Sequence, residues 1–167
     1  MVADKPGTRL RLDLRLKPDW DTVKGAWTDC TRLFDEHGLT QDVSYALSMT
    51  AQELLENAVK YGRYSNDADA IELSVKVGTG DITIEVRNPV DVTAVNLKTF
   101  DATIQWIRGY QNPFEAYVER LKDVSAQPFA PGRSGLGLTR VAFEGQCILD
   151  FYVNESNILA VSAVYHR

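Results

Sequence analysis

The sequence predicts an α+β fold, a two-layer sandwich whose mixed, mainly antiparallel sheet is covered on one face by helices. Two kinds of pattern carry this prediction: segments that alternate hydrophobic with polar residues, as half-buried strands do, and segments with apolar residues every three or four positions, as amphipathic helices do. Their order is strand, two helices, two strands, a helical insert, a helix and two strands. A layered sandwich is the stable way to bury the hydrophobic faces of such elements against one another.

The chain begins with a predicted strand and a predicted helix. RLRLDLRL at 9–16 alternates leucine with charged residues, which is typical of a strand with one buried face. Pro18 and Asp19 suit the start of a helix, because proline is tolerated in a first turn and aspartate caps free N–H groups. An apolar stripe then continues until the helix stops near Gly38.

A second helix and a hairpin follow. Thr40 is a favourable N-cap, and the apolar stripe that begins after it ends at Gly62. The segments 71–77 and 81–87 both alternate, and a short turn that contains two glycines joins them. This arrangement predicts an antiparallel β-hairpin.

After Asn88 and Pro89 the pattern changes, and residues of about 90–131 form an insert. The insert contains two predicted helices, at 93–108 and 113–122, and it is rich in aromatic residues. Such residues predict either a packed helical unit or a surface for a second copy or another partner. The rest of the chain predicts, in order, a loop, a helix and a closing hairpin, at 126–135, at 136–145, and at 147–153 with 158–165.

Composition limits the function further. The 167 residues are 44% hydrophobic, enough for a single domain over 1–167 with a sizeable core, and the net charge of −5 argues against nucleic-acid binding. No apolar run approaches the ~20 residues that span a bilayer, and the first residues lack a secretory signal, so we expect a cytoplasmic protein without a membrane anchor. Two distant cysteines and two isolated histidines predict neither a disulfide nor a His-ligated metal or Ser-His-Asp site.

Three polar residues follow one ridge of the second helix. Glu53, Asn57 and Lys60 stand at i, i+4 and i+7, beside the apolar stripe. The amide oxygen of Asn57 can ligate Mg²⁺, Lys60 can balance phosphate charge, and Glu53 can orient or deprotonate a nucleophile. The alternative is an ordinary solvated helix face.

The second candidate feature is GRSGLGL at 132–138, directly before the helix at 136–145. Glycines let backbone N–H groups approach phosphates, and a helix N-terminus favours anions. No Gly-Lys-Ser/Thr follows, so this is not a Walker loop, and no parallel βαβ unit surrounds it as in a Rossmann turn. A flexible loop with a helix cap is the alternative interpretation.

Together these features resemble the GHKL, or Bergerat-fold, ATP-binding family. The run ELLENA at 53–58 is similar to that family's N box, and 132–138 is similar to its second glycine box. Within the family, the chain most resembles the anti-sigma-factor serine/threonine kinases, and the resemblance covers roughly residues 9–165. Those kinases use Mg·ATP to phosphorylate a small STAS-type antagonist and exchange protein partners as they do so.

The resemblance implies roles for particular residues. Glu53 would be the general base, and Asn57 the Mg²⁺ ligand. Lys60 would approach a phosphate and Tyr61 would pack beside the adenine, as in the histidine-kinase version of the box. The residues of the glycine turn would contact the phosphates: Gly132, Arg133, Ser134, Gly135, Leu136 and Gly137.

The chain departs from the family at the first glycine box, where Asp-x-Gly-x-Gly is expected after the second hairpin strand. Here Asn88 takes the position of the adenine-binding aspartate, and Pro89 replaces flexible sequence. An asparagine can still accept a hydrogen bond from the adenine amino group and donate one to the ring, without the charge assistance of a carboxylate.

Three functions therefore stand. The first is an ATP-dependent serine/threonine kinase that acts on a STAS-like regulator in a partner-switching system, with a sigma factor or a signalling regulator as a further partner. The second is a degenerate module that binds protein partners with weak or no ATP turnover. The third is a histidine-kinase-like catalytic domain, against which Glu53 and the absence of a preceding phospho-acceptor helix pair both argue.

Overall fold

The computed structural model describes residues 8–93, 95–126 and 136–167. Within these parts it contains five strands and five helices. The strands are β1 (Thr8–Leu16), β2 (Ile71–Gly78), β3 (Asp81–Pro89), β4 (Cys147–Val153) and β5 (Ile158–His166). The helices are α1 (Trp20–Glu36), α2 (Gln41–Tyr61), α3 (Val95–Arg108), α4 (Pro113–Ala126) and α5 (Gly137–Phe143). The predicted order of elements is confirmed.

The strands form one sheet in the order β1-β2-β3-β5-β4. The predicted α+β sandwich is confirmed, with one refinement: every pairing among the described strands is antiparallel, so this sheet is not mixed. Hairpins join β2 to β3 and β4 to β5, and the chain leaves β1 and enters β2 at the same end of the sheet. No βαβ crossover therefore joins two neighbouring strands. The closing β4–β5 hairpin lies beside β3, which places β3 at the centre of the sheet.

One face of the sheet carries the core. Along β2 and β3 the buried and less buried residues alternate, because successive side chains point to opposite faces of a strand. The fully buried members include Leu73, Val75, Ile82 and Ile84, and all lie in one hydrophobic cluster with side chains of the helices. The leucines of β1 are half-buried against the same cluster.

The predicted starts of the first two helices are correct. Asp19 caps α1 by accepting a hydrogen bond from the Thr22 backbone N–H at 2.7 Å. Thr40 caps α2 in the same way through the Val43 N–H, at 3.4 Å. The two helices pack side by side, and Thr31 and Ser48 share a hydroxyl–hydroxyl hydrogen bond of 3.0 Å between them.

The described residues of the insert form two helices, as predicted, and the first of these helices belongs to the main core. Phe100, Ile104 and Ile107 of α3 are buried in the same cluster as the sheet. In α4, Phe114 and Tyr117 place their rings 5.1 and 5.2 Å from the ring of Phe143 in α5. Both helices of the insert are therefore fastened to the sandwich. No helix in the described parts of the chain combines the length and the apolar character needed to cross a membrane.

Candidate functional site

A pocket lies between α2, the ends of β3 and β5, and the beginning of the insert. The space in it that a water molecule can reach is about 30 Å³, and about 480 Å³ is free of atoms when the open mouth is counted. Most of its wall is apolar, and four polar side chains interrupt it. The lining residues are Leu54, Asn57, Ala58, Tyr61, Val86, Asn88, Val90, Asp91, Leu97, Phe100, Leu159 and Val161.

Three of the predicted site residues meet in this pocket. Asn57 and Tyr61 lie one turn apart on α2, and Asn88 faces them from the end of β3. Asn57 is half-buried, whereas Tyr61 is 47% exposed and stands at the rim. The sequence placed these residues in one site on the strength of a resemblance, and the structure brings them to the walls of a single cavity.

Asn88 is one of five buried polar residues among those described, with 3% of its surface exposed. Its Nδ2 group donates to the backbone carbonyl oxygen of Pro89 at 3.1 Å, and that oxygen also accepts the Arg63 backbone N–H at 2.9 Å. Within the described residues this is the side chain's single hydrogen bond, so the carbonyl oxygen Oδ1 remains available to a donor in the pocket.

Asp91 stands at the mouth of the same pocket, and sequence reasoning gave it no role. Its carboxylate accepts hydrogen bonds from the Thr93 hydroxyl and backbone N–H, at 2.7 and 2.9 Å, and it pairs with Arg63 at 2.8 Å. The hydrogen bonds from Thr93, assisted by the charge of Arg63, lower the pKa of Asp91. These contacts fix the chain that leads from β3 into the insert.

The C-terminal end of α2 is also held in place beside the pocket. The carbonyl oxygen of Ala58 accepts both the Gly62 N–H at 3.0 Å and the Tyr64 hydroxyl at 2.7 Å. A Cβ atom at Gly62 would collide with that hydroxyl group and lie 2.6 Å from the Ala58 oxygen. Glycine is therefore required at the point where α2 ends.

Glu53 lies on the same ridge as Asn57 but outside the walls of the pocket, toward α5. Its side chain is 13% exposed, and its Oε1 accepts a hydrogen bond from Arg140 Nη1 at 2.9 Å. Burial raises the pKa of Glu53, the charge of Glu56 adds to that effect, and Arg140 and Lys60 oppose it. A carboxylate with a raised pKa in a partly enclosed position is a suitable proton acceptor.

Lys60 is half-buried and does not line the pocket. Its positive charge is close enough to Glu53 to lower the pKa of that carboxyl group. The sequence prediction that Glu53, Asn57 and Lys60 share one side of a helix is therefore correct in its geometry. Their environments differ: Asn57 faces the pocket, and Glu53 and Lys60 lie beside it.

The glycine turn is described only in part. Gly132, Arg133, Ser134 and Gly135 lie outside the described residues. Leu136 is half-buried and precedes α5, and Gly137 is buried as the first residue of that helix. Through the contact of Arg140 with Glu53, α5 lies against α2. The described end of the turn thus leads into α5, which packs against the side of α2 that carries Glu53.

Arg140 is a second residue beside the site, after Asp91, to which the sequence gave no role. Its Nη2 and Nε groups contact Glu144 Oε2 at 3.2 and 3.4 Å, while Nη1 contacts Glu53. The spacing of Arg140 and Glu144 at i and i+4 on a helix signals their pairing. Glu53 stands 87 positions earlier in the chain, so no local pattern could have revealed that contact.

Comparison with known proteins adds one finding to this geometry. The fold resembles that of a chain in the SiaB–SiaC complex of Pseudomonas aeruginosa. The two chains superpose with a TM-score of 0.71 over 92% of this chain and 88% of the other, at 16% sequence identity. No protein-family model matches the sequence, and no curated protein matches it. At that identity the likeness shows a shared fold across nearly the whole chain.

Proposed function

We propose that this protein binds Mg·ATP in the pocket between α2 and β3 and phosphorylates a serine or threonine on a regulatory protein partner. The observation that carries the proposal is the meeting of Asn57 of α2 and Asn88 of β3 in one largely apolar pocket, beside the partly enclosed carboxylate of Glu53. An apolar slot with a few convergent polar groups suits a flat purine base. The fold likeness to a chain of a two-protein complex supports a role that includes partner exchange.

The described residues fit the nucleotide in three respects. The available Oδ1 of Asn88 can accept a hydrogen bond from an exocyclic amino group, and the second hydrogen of Nδ2 can be donated to a ring nitrogen. The Asn57 amide oxygen has no hydrogen-bond partner within the described residues and suits a hard cation such as Mg²⁺. Tyr61, half exposed at the rim, can pack on one face of the base.

The remaining residues divide the chemistry among them. Mg·ATP, when bound, supplies an activated phosphoryl group with its charge partly neutralised. Glu53 would accept the proton of the attacking hydroxyl group, and Lys60 would balance negative charge beside it. The glycine turn at 132–138, with Arg133, would supply backbone N–H groups and a cation to the phosphates.

The partner in this proposal is a STAS-like regulator, with a sigma factor or another signalling protein as the partner exchanged. A homodimer through the aromatic residues of the insert also stays a prediction. Phe114 and Leu121 of α4 are 47% and 41% exposed, which leaves apolar surface on that helix.

Two variants separate nucleotide binding from phosphotransfer. Calorimetric titration with Mg·ATP should give binding to the wild type and none to Asn57→Ala, with the exposed loop variant Asn66→Ala as the matched control. Glu53→Gln should retain binding and lose transfer of radiolabelled phosphate to STAS-domain proteins, including any that are encoded beside the gene. The exposed variant Glu119→Gln should keep both activities. Equal loss of binding in Glu53→Gln and Asn57→Ala would contradict this division of roles.

A partner-binding module without turnover is the second candidate, and two observations favour it. Pro89 stands where the family has a flexible glycine-containing box, and Glu53 is engaged by Arg140. This candidate predicts no calorimetric signal at millimolar Mg·ATP and undiminished binding of a protein partner. A histidine-kinase-like activity would instead yield an acid-labile phosphoprotein, whereas the serine/threonine kinase yields an acid-stable one.

A further inference from the structure

Arg140 connects two carboxylates that come from different elements. Its Nη1 group donates to Glu53 on α2 at 2.9 Å, and Nη2 donates to Glu144, at the C-terminal end of α5, at 3.2 Å. A planar guanidinium can serve two acceptors at once because its N–H groups point in fixed, separate directions. Glu144 therefore holds the guanidinium through Nη2 and Nε, while Nη1 contacts Glu53.

The contact matters because Glu53 is enclosed. Its side chain is 13% exposed, compared with 32% for Arg140 and 36% for Glu144, so little water remains to stabilise its negative charge. The charged groups that act on Glu53 are Glu56 and Lys60 on its own helix and Arg140 and Glu144 on α5. Of the two cations, Arg140 is the one that also forms a hydrogen bond to the carboxylate.

The geometry also distinguishes the two oxygens of the carboxylate. Oε1 is engaged by Arg140, whereas Oε2 has no hydrogen bond within the parts of the chain that the structure describes. A hydroxyl group that approaches Glu53 would therefore meet Oε2 as the free acceptor. The ion pair fixes the side chain in this orientation, since rotation of the carboxylate would break a charge-assisted bond.

We propose that Arg140 is a positioning residue for Glu53: its hydrogen bond and charge at Oε1 favour the ionised carboxylate and present Oε2 as the proton acceptor. This inference rests on the proposed function for the use of Glu53 as a base, but the effect of Arg140 on Glu53 belongs to the free protein. Glu144 acts one step further away, by holding Arg140 in place. No residue of the nucleotide pocket itself is involved.

The test follows the ionisation of Glu53 directly, without nucleotide. The side-chain carboxyl ¹³C signal of Glu53, assigned by its loss in Glu53→Gln, is titrated by NMR in the wild type and three variants. Arg140→Gln removes a cation, so the midpoint of the titration should move to higher pH. Arg140→Lys keeps the charge and should return the midpoint most of the way to the wild-type value. Arg32→Gln removes an exposed cation on α1 and should leave it in place.

A wild-type midpoint in Arg140→Gln would overturn the proposal, as would an equal shift in Arg140→Gln and Arg32→Gln. Failure of Arg140→Lys to restore the midpoint would also contradict it, because the effect would then follow from altered packing. ¹H–¹⁵N spectra of each variant verify that it is folded. If Mg·ATP does not bind at all, the kinase proposal fails, yet the titration still reports whether Arg140 controls Glu53.

Discussion

Replacing Asn88 with aspartate tests why this chain carries an amide where the family it resembles has an acid. Asn88 is 3% exposed, and its Nδ2 donates to the Pro89 carbonyl oxygen at 3.1 Å. An ionised carboxylate would put a negatively charged oxygen against that carbonyl oxygen, with no donor in its place. We expect Asn88→Asp to lower the free energy of unfolding by about 1–3 kcal/mol at pH 8, the usual cost of an unpaired buried polar group.

The loss should depend on pH in a definite direction. Burial raises the pKa of an aspartate at this position in the folded state, and the protonated acid can donate to Pro89 as the amide does. The folded protein then binds more protons than the unfolded chain, so the variant's stability is present at low pH and is lost as pH rises through the raised pKa. The deficit relative to wild type should therefore be smaller at pH 5 than at pH 8.

Urea denaturation at the two pH values measures this difference. Asn66→Asp is the matched control, since Asn66 is an exposed loop residue whose Oδ1 accepts the Ala68 N–H at 2.9 Å, a role that aspartate can fill. Equal deficits of Asn88→Asp at pH 5 and pH 8, or a deficit no larger than that of the control, would refute the reasoning. The amide at position 88 would then have no structural cause in the Asn-Pro turn.

Two further variants test how the insert and α5 are held. Ile104→Ala removes a fully buried side chain of α3 and should lower the free energy of unfolding by about 2–5 kcal/mol in thermal or urea denaturation. Leu121 on α4 is 41% exposed, so Leu121→Ala should change that free energy by no more than about 0.5 kcal/mol. Similar losses in the two variants would mean that α3 does not belong to the core. Gly145→Ala places a Cβ atom against the Thr50 hydroxyl and 2.5 Å from the Val141 carbonyl oxygen. It should destabilise the protein by about 1–3 kcal/mol, and an unchanged melting temperature would show that α5 can shift away from α2.

The fold was largely predictable because its signals are local. Alternation at 9–16, 71–77 and 81–87 and the caps Asp19 and Thr40 each specify an element from residues within a few positions. What alternation cannot give is the order of strands, since β5 rather than β4 lies beside β3. That order depends on which hydrophobic faces pack together across the whole chain.

The candidate site was predictable where its residues lie close together in the sequence. Asn57 and Tyr61 share a helix face by their spacing, and Asn88 was placed with them only by the resemblance to the GHKL family. The partner of Glu53 could not be predicted, because Arg140 approaches it from an element 87 residues later. Nor could the spacing show that Glu53 and Lys60 lie beside the pocket while Asn57 faces into it, since this depends on how α2 is rotated about its axis against the sheet.

The most direct test of the central claim is a crystal structure of the protein with Mg²⁺ and a non-hydrolysable ATP analogue. We expect the adenine in the pocket against Asn88, with Tyr61 beside it and Mg²⁺ at the amide oxygen of Asn57. A nucleotide bound elsewhere on the protein, or a metal that makes no contact with Asn57, would contradict it.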